Sequence, residues 1–159
     1  MTTGLGMNLV SALGGFKAGM VSAALTVYDK TTTYVTSGEP SQDVLAELVS
    51  IGTVTIAQTP ATIGDNRGRE ETLTCEVMLS VFRGGDDDQQ TTADTRVGDL
   101  LALLEQQVHY TDTTLGGVVR ECFLTSATLD SGPGAMGDNR RGRLAVINAT
   151  FTAKARITR

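Results

Sequence analysis

The sequence predicts an α+β fold: a four-stranded, mostly antiparallel or mixed sheet with two main helices packed on one face. Three observations predict it. From Ala145 to Ile157 the residues alternate, with Ala145, Ile147, Ala149, Phe151, Ala153, Ala155 and Ile157 on one face and Asn148, Thr150, Thr152, Lys154 and Arg156 on the other. That period of two marks a strand with one buried and one wet face. A second run, Glu70 to Phe82, repeats the pattern, with Leu73, Cys75, Val77, Leu79 and Val81 facing in and Thr72, Thr74, Glu76 and Ser80 facing out. Apolar residues at helical spacing precede each strand pair. The resulting order of helix, hairpin, helix, hairpin lets two hairpins pool their apolar faces while the helices cover one side.

The first helix rests on Leu5, Leu9, Leu13, Phe16, Met20 and Ala24, spaced four, four, three, four and four, which is one face of a helix. Gly14, Gly15 and Gly19 weaken it by up to about 1 kcal/mol each, so packing must hold it, or the glycines admit a close neighbour. Leu25 to Tyr28 predicts a short strand and Thr31 to Pro40 a Thr-rich polar loop. Ser41 caps a short helical turn through Leu48, with Asp43 in its first turn. Val49 and Ile51, then Val54 and Ile56, are apolar. The phase switches at Gly52 and Thr53, which predicts a strand with a bulge there.

Gly84 to Gln90 is a turn carrying the charge run Asp86, Asp87 and Asp88. Thr91 or Thr92 then caps the second helix, with Asp94 in its first turn. Its stripe is Val97, Leu100, Leu101, Leu104 and Val108, and it ends near Tyr110. Gly116 and Gly117 turn the chain into the next strand. One phrase repeats: Gly64-Asp-Asn-Arg-Gly-Arg69 returns as Gly137-Asp-Asn-Arg-Arg-Gly-Arg143, each copy at the bend before a long alternating strand.

The 159 residues fit one domain spanning 1–159. Thirteen basic against 18 acidic side chains leave a formal charge of −5, which disfavours a general nucleic-acid binder. Cys75 and Cys122 sit inside strand-like runs without metal spacing, so they are expected to be buried small hydrophobes in a reducing compartment. Lys17 is the first charge, so the start lacks the basic region of a signal peptide. No apolar run approaches the roughly 18 residues that span a bilayer. The expectation is a soluble protein that stays where it is made.

Candidate chemistry is sparse. His109, the one histidine, lies at a helix end with no cue placing a nucleophile and an orienting acid beside it. Asp86–Asp88 lacks the spaced oxygens and closing Glu of a calcium loop and fits a solvated hairpin tip. Gly4-Leu-Gly6 follows no strand and has no third glycine, so it is no nucleotide loop. No catalytic residue, metal or cofactor is expected. The paired GDNR phrases serve as turn chemistry, since Asp, Asn and Gly suit turns. Alternatively, Arg67, Arg69, Arg140, Arg141 and Arg143 reach a neighbouring subunit's carboxylates, a pairing that arginine suits. The polar face of the last strand, with Lys154 and Arg156, and the turn Asp86, Asp87 and Asp88 complete the candidate interface set.

The chain resembles the tail terminator (tail completion) proteins of long-tailed bacteriophages. The resemblance rests on order and short phrases: an N-terminal amphipathic helix, Val27-Tyr-Asp29, Gly38-Glu-Pro40, Val49-Ser-Ile-Gly52, and Arg69-Glu-Glu-x-Leu-x-Cys-x-Val77. An Arg96-led helix follows, then Thr114-Leu-Gly-Gly117 and a final strand ending Ala153-Lys-Ala-Arg156. It covers nearly the whole chain, and the Thr-Leu-Gly-Gly turn is its most specific part. The chain departs from the family's pattern in a Thr-rich insert at 30–38 and in the acidic turn at 86–88.

The resemblance implies a structural virion protein without enzymatic activity. It would form a ring of about six copies on top of the tail tube, stop tube polymerisation and offer a docking surface to the head–tail connector. Its partners would be itself, the tail tube protein and the connector or neck protein. It would be assembled in the bacterial cytoplasm and located at the head-proximal end of the virion tail. DNA would pass through the lumen without specific binding. Another neck component or a tube protein is the alternative within the assembly world, and a small α+β enzyme is the alternative outside it.

Overall fold

The computed structural model describes residues 12–40, 46–60, 69–136 and 140–157. It is an α+β arrangement of two helices on a five-stranded mixed sheet. The elements are α1 (Leu13–Val27), β1 (Thr33–Ser37), β2 (Glu47–Pro60), β3 (Arg69–Gly84), α2 (Gln89–Gln106) continued by a π turn (Gln107–Thr111), β4 (Glu121–Met136) and β5 (Arg140–Ile157). The strand order is β1-β2-β3-β5-β4. β1 runs parallel to β2, and every other neighbouring pair is antiparallel.

The two hairpins pool their faces as the alternation predicts. β3 and β5 pair along their whole length, from Arg69 against Ile157 to Gly84 against Gly142. Leu73, Cys75, Val77, Leu79 and Val81 of β3 are buried, as are Ala145, Ile147, Ala149, Phe151, Ala153 and Ala155 of β5. Phe16, Met20, Ala23 and Ala24 of α1, with Val97, Leu100 and Leu104 of α2, cover that face. The register of β2 on β3 shifts between Ile51 and Val54, where the phase of the sequence switches. Cys75 and Cys122 are free and buried, packed as small hydrophobes.

Five expectations need correction. The sheet has a fifth strand, because the segment expected as a polar loop contains β1. Thr33, Tyr34 and Val35 are β-formers, and the Thr33 hydroxyl donates to Glu47 Oε1 at 2.9 Å, anchoring β1 to β2. Leu25 to Val27 continue α1 instead of forming a strand. The chain leaves the helix only at Tyr28, whose buried hydroxyl donates to the Leu100 carbonyl. Leu48, expected in a helical turn, lies in β2, while 41–45 fall outside the described residues. α2 begins at Gln89, with Asp88 at the cap position making no side-chain cap bond, so neither Thr91 nor Thr92 caps it. Asp94 therefore sits beyond the first turn, where it accepts from Gln90 and Ser131. The helical end near Tyr110 is as expected: the π turn continues α2 from Gln107 to Thr111. Leu5 and Leu9 lie outside the described residues.

The glycines of α1 admit a close neighbour. A Cβ on Gly15 would lie 3.0 Å from Val118 Cγ1, and one on Gly19 would lie 3.0 Å from Leu115 Cβ. The turn after α2 therefore seats against α1 at a small-residue notch. That turn is the Thr114-Leu-Gly-Gly phrase, with φ of 49° at Leu115, 72° at Gly116 and 93° at Gly117. Glycine adopts this left-handed region without strain.

Candidate functional site

Among the described residues, no helix covers the other side of the sheet. Its residues are polar on β5 (Asn148, Thr150, Thr152, Lys154), on β3 (Thr72, Thr74, Glu76, Ser80) and on β4 (Ser126, Thr128). The twist of the sheet makes a shallow groove of about 470 Å³ across β2, β3, β5 and β4. Ser50, Thr53, Glu76, Ser126, Asn148 and Thr150 are among its lining residues. Thr125 at the β4 bulge donates its hydroxyl to the Thr150 carbonyl, 2.9 Å away. Its oxygen also lies 3.0 Å from the Thr152 hydroxyl.

Register divides the predicted charged residues into two groups at opposite ends of the sheet. β3 and β5 are antiparallel, so the start of β3 lies beside the end of β5 and the start of β5 beside the end of β3. Arg69 opens β3 and stands in register with Ile157; Lys154 and Arg156 share that end, in register with Thr72 and Glu70. Glu70 accepts from Arg120 Nη2 at 3.0 Å. At the other end are Arg143, in register with Arg83, and Arg141, whose carbonyl accepts from the Gly85 N–H, together with the exposed turn Asp86–Asp88. Arg140 opens β5 there. Arg67 lies outside the described residues, and the side chains of Arg69 and Arg140 are not among those described. The two GDNR phrases thus lead into strands that begin at opposite ends of the fold.

Arg141 and Lys154 are exposed, as is Arg156. Arg143 is committed within its own chain. Its Nε donates to Gln90 Oε1 at 2.8 Å and its Nη1 to Asp87 Oδ1 at 3.4 Å. Gln90 in turn donates to the Leu144 carbonyl. The arginine thereby pins the start of α2 to β5.

One cluster escapes the sequence pattern altogether. The carboxylate of Glu47, 6% exposed, lies on the helix-covered face of β2 and takes four hydrogen bonds. Arg83 Nη2 donates at 2.7 Å, Arg96 Nε and Nη2 donate at 2.9 and 3.0 Å, and Thr33 supplies the fourth. Burial opposes the charge on Glu47, but the bonds from Arg96, Arg83 and Thr33 and the charge of Arg96 outweigh it, bringing its pKa down to about 2. The cluster binds β1, β2, β3 and α2 together. A glutamate directly before an apolar run was the only signal in the sequence.

Glu71 is a second buried carboxylate, fully enclosed. Its Oε1 accepts from the Ala12 backbone N–H at 2.9 Å at the start of α1, and its Oε2 accepts from Gln58 Nε2 at 2.6 Å. Acceptance of an N-terminal N–H by a carboxylate suits the positive end of a helix.

The groups that enzymatic chemistry would draw on are dispersed. His109 is exposed, edge-on to Tyr110 at 4.5 Å, with Nδ1 3.4 Å from the Cys122 carbonyl oxygen. Burial pushes both thiols, Cys75 and Cys122, up to about 12, so neither offers a thiolate near neutrality. Among the described residues, no group of three or more His, Cys, Asp or Glu side chains is placed to hold a metal ion. No described helix is long and apolar enough to cross a membrane.

No protein-family model matches the chain. No curated protein matches it either. Among solved structures, the chain is similar to one from the virion of a native gene transfer agent particle. The identity is 12%, with 85% of this chain and 82% of that chain covered, at a TM-score of 0.44.

Proposed function

We propose that this chain is a structural virion protein that caps the tail tube of a long-tailed bacteriophage as a ring of about six copies. In this role it ends tube polymerisation and presents a docking surface to the head–tail connector. The observation that carries the proposal is the chain-long order of tail-terminator phrases, centred on Thr114-Leu-Gly-Gly117. That turn takes three consecutive left-handed residues and sits in the glycine notch of α1, so the phrase has a defined structural job.

The geometry supports a role in stacking. Among the described residues, a polar sheet face without a helix on it lies between two charged ends, and a capping ring needs two opposed docking faces, one for the tube and one for the connector. Six copies at −5 each give the ring a formal charge of −30. Phosphate binding is driven by cationic contacts and counterion release, so such a ring passes DNA without gripping it.

The test is assembly. Native mass spectrometry and negative-stain images of the purified protein should show single rings of about six copies. Mixed with tube protein, these rings should halt elongation. Long tubes formed by the protein alone would reassign it to the tube itself. A strictly monomeric species on intact tail tips would overturn the proposal.

A further inference from the structure

Among the described residues, the sheet ends on both sides in a strand with one free edge, and the two outer strands run in opposite directions. With β2 pointing up, β1 points up, β3 down, β5 up and β4 down. A second copy placed alongside in the same orientation brings its β1 antiparallel to β4 of the first, with both helix-covered faces on the same side. β1 carries neither charge nor proline, and the proline of β4, Pro133, lies beyond the exposed stretch Thr125–Ser131. Every residue from Thr125 to Ser131 of β4 is exposed, and Asp130 is the only charge among them. The one register shift of β4, at Leu124/Ser126, lies before this stretch, and pairing is regular from Ser126 to Met136.

Side chains on the two edges match. Leu129 is 48% exposed and lies on the helix-covered side of β4, in register with buried Ile147. On the β1 edge, the same side of the sheet has a cleft of about 200 Å³ lined by Leu25, Tyr28, Lys30, Thr33, Tyr34 and Val35. Leu25 at its mouth is 46% exposed. Asp130, the next residue of β4, is in register with Val146 and so lies on the opposite face, clear of the cleft.

We propose that the two outer strands are the two halves of one head-to-tail interface between copies of this chain. The β4 edge of one copy adds to the β1 edge of the next, and Leu129 enters the cleft beside Leu25 and Val35. Antiparallel backbone bonds supply the register, and the leucine in its cleft supplies specificity. A head-to-tail contact closes into a ring when its rotation divides the circle. The interface rests on the ring proposed above and specifies how it is built.

The experiment compares the purified full chain with single variants by native mass spectrometry and light scattering. Leu129→Arg and Leu25→Glu change exposed side chains, so circular dichroism should show unchanged folding and an unchanged thermal midpoint. Each should raise the protein concentration at which rings dissociate by about tenfold or more. Leu103→Arg, an exposed leucine on the outer face of α2, should leave rings intact. Wild-type rings that survive both Leu129→Arg and Leu25→Glu, or that break only with Leu103→Arg, overturn the edge-to-edge interface while leaving the ring itself standing. A wild-type protein that stays monomeric at every concentration sinks the ring and this interface together.

Discussion

Arg96 grips Glu47 with two parallel hydrogen bonds, Nε to Oε2 at 2.9 Å and Nη2 to Oε1 at 3.0 Å, and so ties the interior of α2 to the first residue of β2. Arg83 adds a third charged bond from β3. The two arginine side chains remain 28% and 35% exposed while the carboxylate is 6% exposed. Water therefore shares the cost of the cations, and the anion is the group that depends on its partners.

Stability should accordingly fall in acid through Glu47. Its folded pKa of about 2 lies below its ordinary value of 4.5. The contribution is therefore present above about pH 4.5 and is lost as pH falls toward 2. A shift of that size has a ceiling of about 3 kcal/mol, and water around the two partly exposed arginines screens it to about 1–2 kcal/mol. Urea unfolding at a series of pH values should show this loss in the wild type and a flatter profile in Glu47→Gln. Equal slopes for the two proteins between pH 4.5 and pH 2 would remove Glu47 from the account.

Glycine at 142 is required by space. A Cβ there would press directly on the Arg83 carbonyl oxygen and lie 2.8 Å from Gly84 Cα and from the ring of Phe82. Backbone in two paired strands cannot give way cheaply, so Gly142→Ala should cost about 3 kcal/mol or more. Gly14 is the counter-case. It sits in α1 with open space for 4 Å around the point a Cβ would take, and Gly14→Ala should gain up to about 1 kcal/mol. Chemical denaturation of both variants checks the pair.

The parts legible in the sequence were those where one rule acts alone. β5 is a full-length inner strand, so its alternation survives intact, and Phe151 is completely buried where the pattern puts it. The β2 bulge showed because a phase change in a strand has no other cheap explanation. β1 was hidden because five residues among threonines carry little apolar signal. Its stability comes from pairing with β2 and from the Thr33–Glu47 bond, both of which are long-range. Glu47 was missed for the same reason: its partners come from β1, β3 and α2. Register also undid the grouping of the arginine phrases, since strand direction separates residues that local similarity joins.

The thiols should be inert in the folded protein. Both Cys75 and Cys122 are buried with their pKa pushed up to about 12. A thiol-reactive dye at pH 8 should label neither within minutes, and both should react once the chain is unfolded in denaturant. Fast labelling of either cysteine in the native protein would mean that the helix layer opens readily over β3 or β4.

Phe151 tests the phase of the whole sheet. It lies between Cys75 and Leu124 on the helix-covered face and is fully buried. Phe151→Ala should cost about 3–5 kcal/mol. Phe151→Asp, which buries an unpaired charge, should leave no soluble folded protein. A soluble Phe151→Asp as stable as the parent would put that residue on the wrong face.

The two charged ends should be separable in assembly. Arg140 and Arg141 belong to the end that carries Asp86–Asp88; Lys154 and Arg156 belong to the opposite end. If one end meets the tube and the other the connector, reversing charge at one end should impair one partner and spare the other. Arg140→Glu with Arg141→Glu, and separately Lys154→Glu with Arg156→Glu, should keep the fold and the ring size. Each pair should slow binding to a single partner by about tenfold at low salt, with the difference shrinking as salt screens the charges. Pull-down and kinetic measurements with tube protein and connector protein decide it. Wild-type binding to both partners by both double variants would return these residues to turn chemistry and solvation.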